Sequence, residues 1–155
     1  MNVEDLMTKN VVTCFRTDCL ATAAQKMWDG DCGALPVVDD DGALVGMVTD
    51  RDICMAAWTR GALLAEITVE QAMASDVFSI APDQDTGFAE LLMAEKQIRR
   101  IPVVDKSHNP IGILSMNDLA REAARPASEL MDGPARVVHT MASICRPRRR
   151  VARAA

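Results

Sequence analysis

Pro36-Val37-Val38-Asp39 and Pro102-Val103-Val104-Asp105 are the same four residues, 66 positions apart (102 minus 36). The same offset carries Val3-Glu4 and Met7 onto Val69-Glu70 and Met73 without a gap. It also carries Gly46 onto Gly112 and Asp52 onto Asp118. A fixed period of this length marks two copies of one supersecondary unit. Two copies in one small chain imply pseudo-twofold symmetry, and the seam between them is a natural place for a ligand.

The chain has 155 residues, about one domain by length. Each half, at roughly 60 residues, would be marginal alone because small chains bury too little of their surface. The halves are therefore expected to share one core. Apolar residues make up 49% of the chain, which excludes global disorder. Aromatics are only 3%, with no Tyr, so the stacking platforms of single-strand nucleic-acid binders are nearly absent. The net charge is −5, but Arg146-Pro147-Arg148-Arg149-Arg150-Val151-Ala152-Arg153 carries five positive charges and no negative one. A bulk nucleic-acid binder would show a basic face instead. No apolar run is long enough to span a membrane. Met1-Asn2-Val3-Glu4-Asp5 is acidic and no apolar h-region follows it, so no signal peptide is read and a cytoplasmic protein is expected. The five cysteines, at 14, 19, 32, 54 and 145, lack CxxC spacing, and two histidines complete no zinc pattern. Small buried or half-buried thiols are expected, with Cys14 and Cys145 able to meet only if the C-terminal helix folds back.

In the first copy, Val3 to Met7 reads as a short amphipathic turn and Val11 to Cys14 as a strand. Asp18 offers an N-cap for a helix carrying Leu20, Ala23, Ala24 and Met27 at helical spacing. Leu35 to Val38 and Leu44 to Val48 read as strands joined by the turn Asp40-Asp41-Gly42. Thr49 caps a second helix, 50 to about 60. In the second copy Val77 to Ile80 is the first strand, and Pro82-Asp83 opens a helix with Phe88, Leu91 and Leu92 on one face. Ile101 to Val104 and Ile111 to Leu114 form the hairpin, and Ser115 caps a helix to about Arg125. The fold class is α/β (α+β): two β-α-β-β-α units, sheets packed together, over 1–62 and 63–126. A helical extension is expected over 127–145 and a basic tail over 146–155.

The Pro-Val-Val-Asp strand, the turn, Gly46-Met47-Val48-Thr49-Asp50-Arg51-Asp52 and its partner Gly112-Ile113-Leu114-Ser115-Met116-Asn117-Asp118 resemble the CBS domain, the cystathionine-β-synthase-type repeat. Two in tandem resemble a Bateman module, and the resemblance covers residues 3 to 125. It implies two sheets packed together, with clefts between the repeats that bind adenosine-containing ligands: AMP, ATP, NAD or S-adenosylmethionine. It also implies a regulatory role rather than catalysis.

The residues give this reading physical content. Thr49 at a helix N-cap sets a hydroxyl beside unpaired N–H groups, where the helix dipole favours a phosphate. Asp52, one turn along on the same face, can accept two hydrogen bonds from the cis-diol of a ribose. Ser115 and Asp118 repeat the pair, and Gly46 and Gly112 let a backbone approach closely. The competing reading is an ordinary capping box, with Asp52 returning a bond to the Thr49 N–H. Arg99 and Arg100 precede the Ile101-Pro102 strand, and the planar fork of Arg suits a phosphate. Gly33 and Ala34 hold the matching positions without charge, so the clefts should differ. The competing reading is a solvated Arg pair. Thr13 and Ser79 either line a base pocket, beside Val12, Phe78 and Ile80, or are strand-end hydroxyls that satisfy turns.

No nucleophile–base pair and no metal cluster is read. The expected function is adenine-nucleotide sensing, with output through an unidentified effector protein or through a homodimer forming a disc of four repeats. The alternatives are a dimerisation scaffold with empty clefts, or a nucleic-acid-associated protein using the Arg-rich tail.

Overall fold

The computed structural model describes residues 1–124 and Met141. Met141 is helical, and the rest of the expected extension and basic tail, with Cys145, lies outside the described residues. The fold is mixed α+β, with two three-stranded sheets. The chain runs α1 (Val3–Leu6), β1 (Thr8–Lys9), β2 (Cys14–Phe15), α2 (Leu20–Gly30), β3 (Ala34–Val38), β4 (Leu44–Thr49) and α3 (Asp50–Arg60). A 3-10 turn (Val69–Gln71) opens the second copy, followed by α4 (Thr86–Lys96), β5 (Arg100–Val104), β6 (Pro110–Ser115) and α5 (Met116–Ala123).

The two hairpins are built alike. β3 pairs antiparallel with β4, setting Ala34 opposite Thr49, and β5 pairs with β6, setting Arg100 opposite Ser115. Both ladders slip at the same repeat position, between Val37 and Val38 and between Val103 and Val104. The Asp that ends each Pro-Val-Val-Asp strand closes the turn. Asp39 Oδ1 accepts the N–H groups of Asp41 and Ala43 at 3.0 and 2.9 Å. Asp105 Oδ1 accepts those of Ser107 and Asn109 at 2.8 and 2.9 Å. These bonds, led by that from Asn109, hold the Asp105 carboxyl below its ordinary range.

The opening segments are exchanged between copies. β1 pairs with β6 of the second copy, and the Val3 N–H donates to the Gln84 carbonyl at 2.9 Å. In return, Ala74 and Met47 exchange backbone bonds at 3.0 and 2.9 Å, and the Val69 N–H donates to the Asp18 carbonyl at 2.8 Å. The expected single core is therefore two clusters. Leu20, Leu35, Val37 and Val48 take in Ile67 and Val69 from the second copy's opening, while Ile101, Val103 and Leu114 take in Val3. Full burial of each such side chain contributes about 1.5–3 kcal/mol, which explains how two small cores suffice.

Several sequence expectations shift. The first strand is Cys14–Phe15 rather than Val11 to Cys14. Its counterpart over Val77 to Ile80 shrinks to one parallel bridge, Ile80 to Val103. Asp18 does not cap α2; its carboxylate instead accepts the Phe15 N–H at 3.1 Å and Lys26 Nζ at 2.9 Å. Cys19 takes the N-cap position without a side-chain bond to the helix backbone, its Sγ lying 3.3 Å from Thr22 Oγ1 instead. α4 begins at Thr86, with Asp85 capping the Gly87 N–H. Phe88 and Leu91 are exposed, and Ala89 and Met93 face the core.

Cys14 is buried, and desolvation raises its thiol from 9.0 to about 11. The fold thus holds the neutral thiol. That stabilisation is complete below pH 9.0 and is lost as the pH climbs towards about 11. Iodoacetamide in mildly alkaline buffer should label exposed Cys54 quickly and Cys14 only after unfolding, as read by peptide mass mapping. Equal labelling of the two in the folded chain would contradict this burial.

Candidate functional site

The N-termini of α3 and α5 are built the same way. β4 runs straight into α3, and Thr49 turns extended at the junction, with φ −117° and ψ 163°. Its Oγ1 donates to Asp52 Oδ2 at 2.6 Å and accepts the Asp52 N–H at 3.2 Å. The Thr49 N–H donates to the same Oδ2 at 2.8 Å. In α5, Ser115 Oγ and N–H donate to Asp118 Oδ2 at 2.6 and 2.8 Å, and the Asp118 N–H returns to Oγ at 3.4 Å. The capping box is therefore formed at both ends, and one oxygen of each carboxylate is committed to it. What separates a cap from a binding group is the other oxygen.

There the copies diverge. Asp118 is the one buried polar or charged residue among those described, at 5% exposure, and Arg121 Nη2 bonds its Oδ1. Asp52 is half-buried, and its Oδ1 has no such bond among the described residues. Asp50 and Ile53 line a cleft of about 420 Å³ with Met27, Trp28, Cys32 and Gly33, all of the first copy, and Asp52 is not among its lining residues. A Cβ on Gly33 would stand 2.8 Å from Asp50 Oδ2, so a larger residue there would push the Asp50 carboxylate aside.

The strand-start residues sit where the repeat puts them. The Gly33 carbonyl accepts the Asp50 N–H at 3.2 Å, and the Arg99 carbonyl accepts the Met116 N–H at 2.9 Å. Arg99 is exposed and Arg100 half-buried. Burial raises the Cys32 thiol, while the Ala34 N–H and the charge of Arg100 pull it back, so Arg100 acts across from the second copy onto the first. Thr13 does not join this cleft. It lines a second one, of about 480 Å³, with Phe15, Val38, Gly42, Asn109 and Pro110, where the two hairpin turns meet. The Leu44 N–H donates to the His108 carbonyl there at 3.0 Å. Ser79 is half-buried beside the Ile80 bridge. Gly46 and Gly112 do admit a close backbone, but that of the exchanged segments. A Cβ would stand 2.9 Å from the Ala74 carbonyl oxygen at Gly46 and 3.0 Å from that of Thr8 at Gly112. The sequence reading missed Arg121, whose only signal is its i,i+3 spacing from Asp118, and Trp28 and Cys32, which the helix end of α2 brings to the cleft.

Among the described residues, no group of three or more His, Cys, Asp or Glu side chains could hold a metal ion. No described helix is long and apolar enough to cross a membrane.

Known proteins share this architecture. The chain is 38% identical over 119 residues to the CBS domain-containing protein YhcV of Bacillus subtilis, covering 77% of this chain and 83% of that one. It is 32% identical over 145 residues to Hypoxic response protein 1 of Mycobacterium tuberculosis, covering 92% and 93%. Neither name is that of an enzyme. The CBS domain pair of protein MJ0100, solved with 5′-methylthioadenosine and S-adenosyl-L-methionine, superposes with a TM-score of 0.72 at 27% identity, covering 79% of this chain and 98% of that one. CBSX2 in complex with AMP superposes with a TM-score of 0.70 at 27% identity, covering 81% and 97%. The CBS domain family matches twice, over residues 3–58 and 68–125, so this chain belongs to that family as a tandem pair.

Proposed function

We propose that this chain is a regulatory module that binds an adenine nucleotide between its two CBS repeats. The observation that carries the reading is the capping-box carboxylate of α3. One of its oxygens, Oδ1, lies outside the box without a bonded partner among the described residues, free to accept a ribose diol. Arg99 and Arg100 supply the phosphate contact and Ser79 flanks the base, while Thr13, which lines the second cleft, stands outside this site. The bound AMP and S-adenosyl-L-methionine of the neighbouring structures support this ligand class. Binding would act by shifting the population of the two repeats' relative arrangements, read out by an effector protein or through a homodimer.

AMP, ATP, NAD or S-adenosylmethionine at millimolar concentration should raise the melting temperature. A ligand at a hundredfold its Kd stabilises the folded state by about 2.7 kcal/mol, a shift of several degrees for a chain of this size. If none of the four shifts the transition, the repeats are a scaffold with empty clefts.

The homodimer rests on a separate observation. Trp28, Trp58, Leu63 and Leu91 leave 65%, 78%, 71% and 72% of their surface exposed. Exposed apolar side chains of this size are candidates for burial in an association surface. Light scattering at micromolar concentration should give the mass of two chains; a single-chain mass would exclude the dimer.

A further inference from the structure

The two copies carry the same box but do not offer the same acceptor, and the difference lies in one residue. Arg121 sits three residues beyond Asp118 on α5 and holds its Oδ1. The repeat offset puts Met55 at the matching position of α3, exposed and uncharged. Arg51, the one cation in the first turn of α3, makes no ion pair with Asp52 among the described residues. We infer that Arg121 is a specificity-determining residue: it occupies the second oxygen of Asp118 and leaves Asp52 as the open diol acceptor, so that one nucleotide binds per chain. The inference rests on the nucleotide reading above and decides which cleft serves it.

Physical chemistry sets the direction. A ribose reaching Asp118 must displace a guanidinium from a buried carboxylate. Charge-assisted contacts of this kind are the strong ones, and leaving a buried charge partly unpaired is costly. A neutral diol returns two ordinary hydrogen bonds for that loss. At Asp52 Oδ1 the same diol has no side-chain partner to displace among the described residues.

Calorimetric titration of the full chain with AMP tests this. The wild type should bind one AMP per chain. In Asp52→Asn the side-chain oxygen can keep the capping bonds while a donor NH₂ replaces the free acceptor. Its affinity should fall about tenfold or more. Arg121→Met, which installs the residue of the first repeat, should add a second AMP per chain, and Arg121→Met with Asp118→Asn should return the count to one. Circular dichroism melts confirm that each variant is folded. Two AMP per wild-type chain, an Asp52→Asn affinity within twofold of wild type, or a count that stays at one in Arg121→Met overturns the inference while leaving the nucleotide reading intact. No AMP binding in either the wild type or Arg121→Met overturns both.

Discussion

Gly46→Val is expected to destabilise the chain by about 3 kcal/mol, the upper end of the usual cost of overpacking a filled site. The reason is the exchanged segment that crosses β4. A Cβ on Gly46 would stand 2.7 Å from Met73 Sδ and 2.9 Å from the Ala74 carbonyl oxygen. The methionine can swing away. The backbone oxygen cannot, because Ala74 is tied to Met47 by bonds at 3.0 and 2.9 Å. Urea denaturation checks the loss directly. Adding Met73→Ala should recover only a small part of it. Full recovery would mean that the side chain alone, and not the backbone crossing, requires the glycine.

The second large effect concerns ligand selectivity. Arg99→Ala combined with Arg100→Ala should lower AMP affinity about tenfold to a hundredfold, the worth of a desolvated charge-assisted contact. Adenosine affinity should stay nearly unchanged. Arg100 stands opposite Ser115 in the ladder, and its charge reaches Cys32 in the other repeat, so it lies at the seam. Competition titrations with AMP and adenosine separate the outcomes. Equal losses for both ligands would assign the arginines to the fold or to the base pocket.

The parts of this fold that could be read from sequence are those set by neighbours in the chain. Thr49-x-x-Asp52 and Ser115-x-x-Asp118 mark helix starts because each box closes within one turn. Gly61 ends α3 with φ 60°, as a residue lacking Cβ can at little cost. The unread parts depend on partners far along the chain. Thr8 and Lys9 form a strand only because Ile113 and Gly112 lie beside them. Asp18 had the chemistry of a cap, but Lys26 and the Phe15 N–H claimed its carboxylate. On α4 the helical spacing placed Leu92 correctly, but the sheet takes Ala89 and Met93 in place of the bulkier Phe88 and Leu91. The site showed the same division. The boxes were visible in both copies, but the residue that makes them unequal, Arg121, has no counterpart in the repeat and so left no periodic trace.

The crossing of Val3 and β1 onto the second repeat, and of Ile67 to Ala74 onto the first, also bears on ancestry. A polypeptide carrying a single copy would hold an opening segment with no seat of its own. It could complete its core only by lending that segment to a second molecule and borrowing one back. Its stability would then rise with protein concentration, as for any obligate dimer. Tandem fusion places donor and seat on one tether, where the effective concentration is on the order of millimolar whatever the dilution. Gene duplication here would have turned a bimolecular assembly into a unimolecular fold.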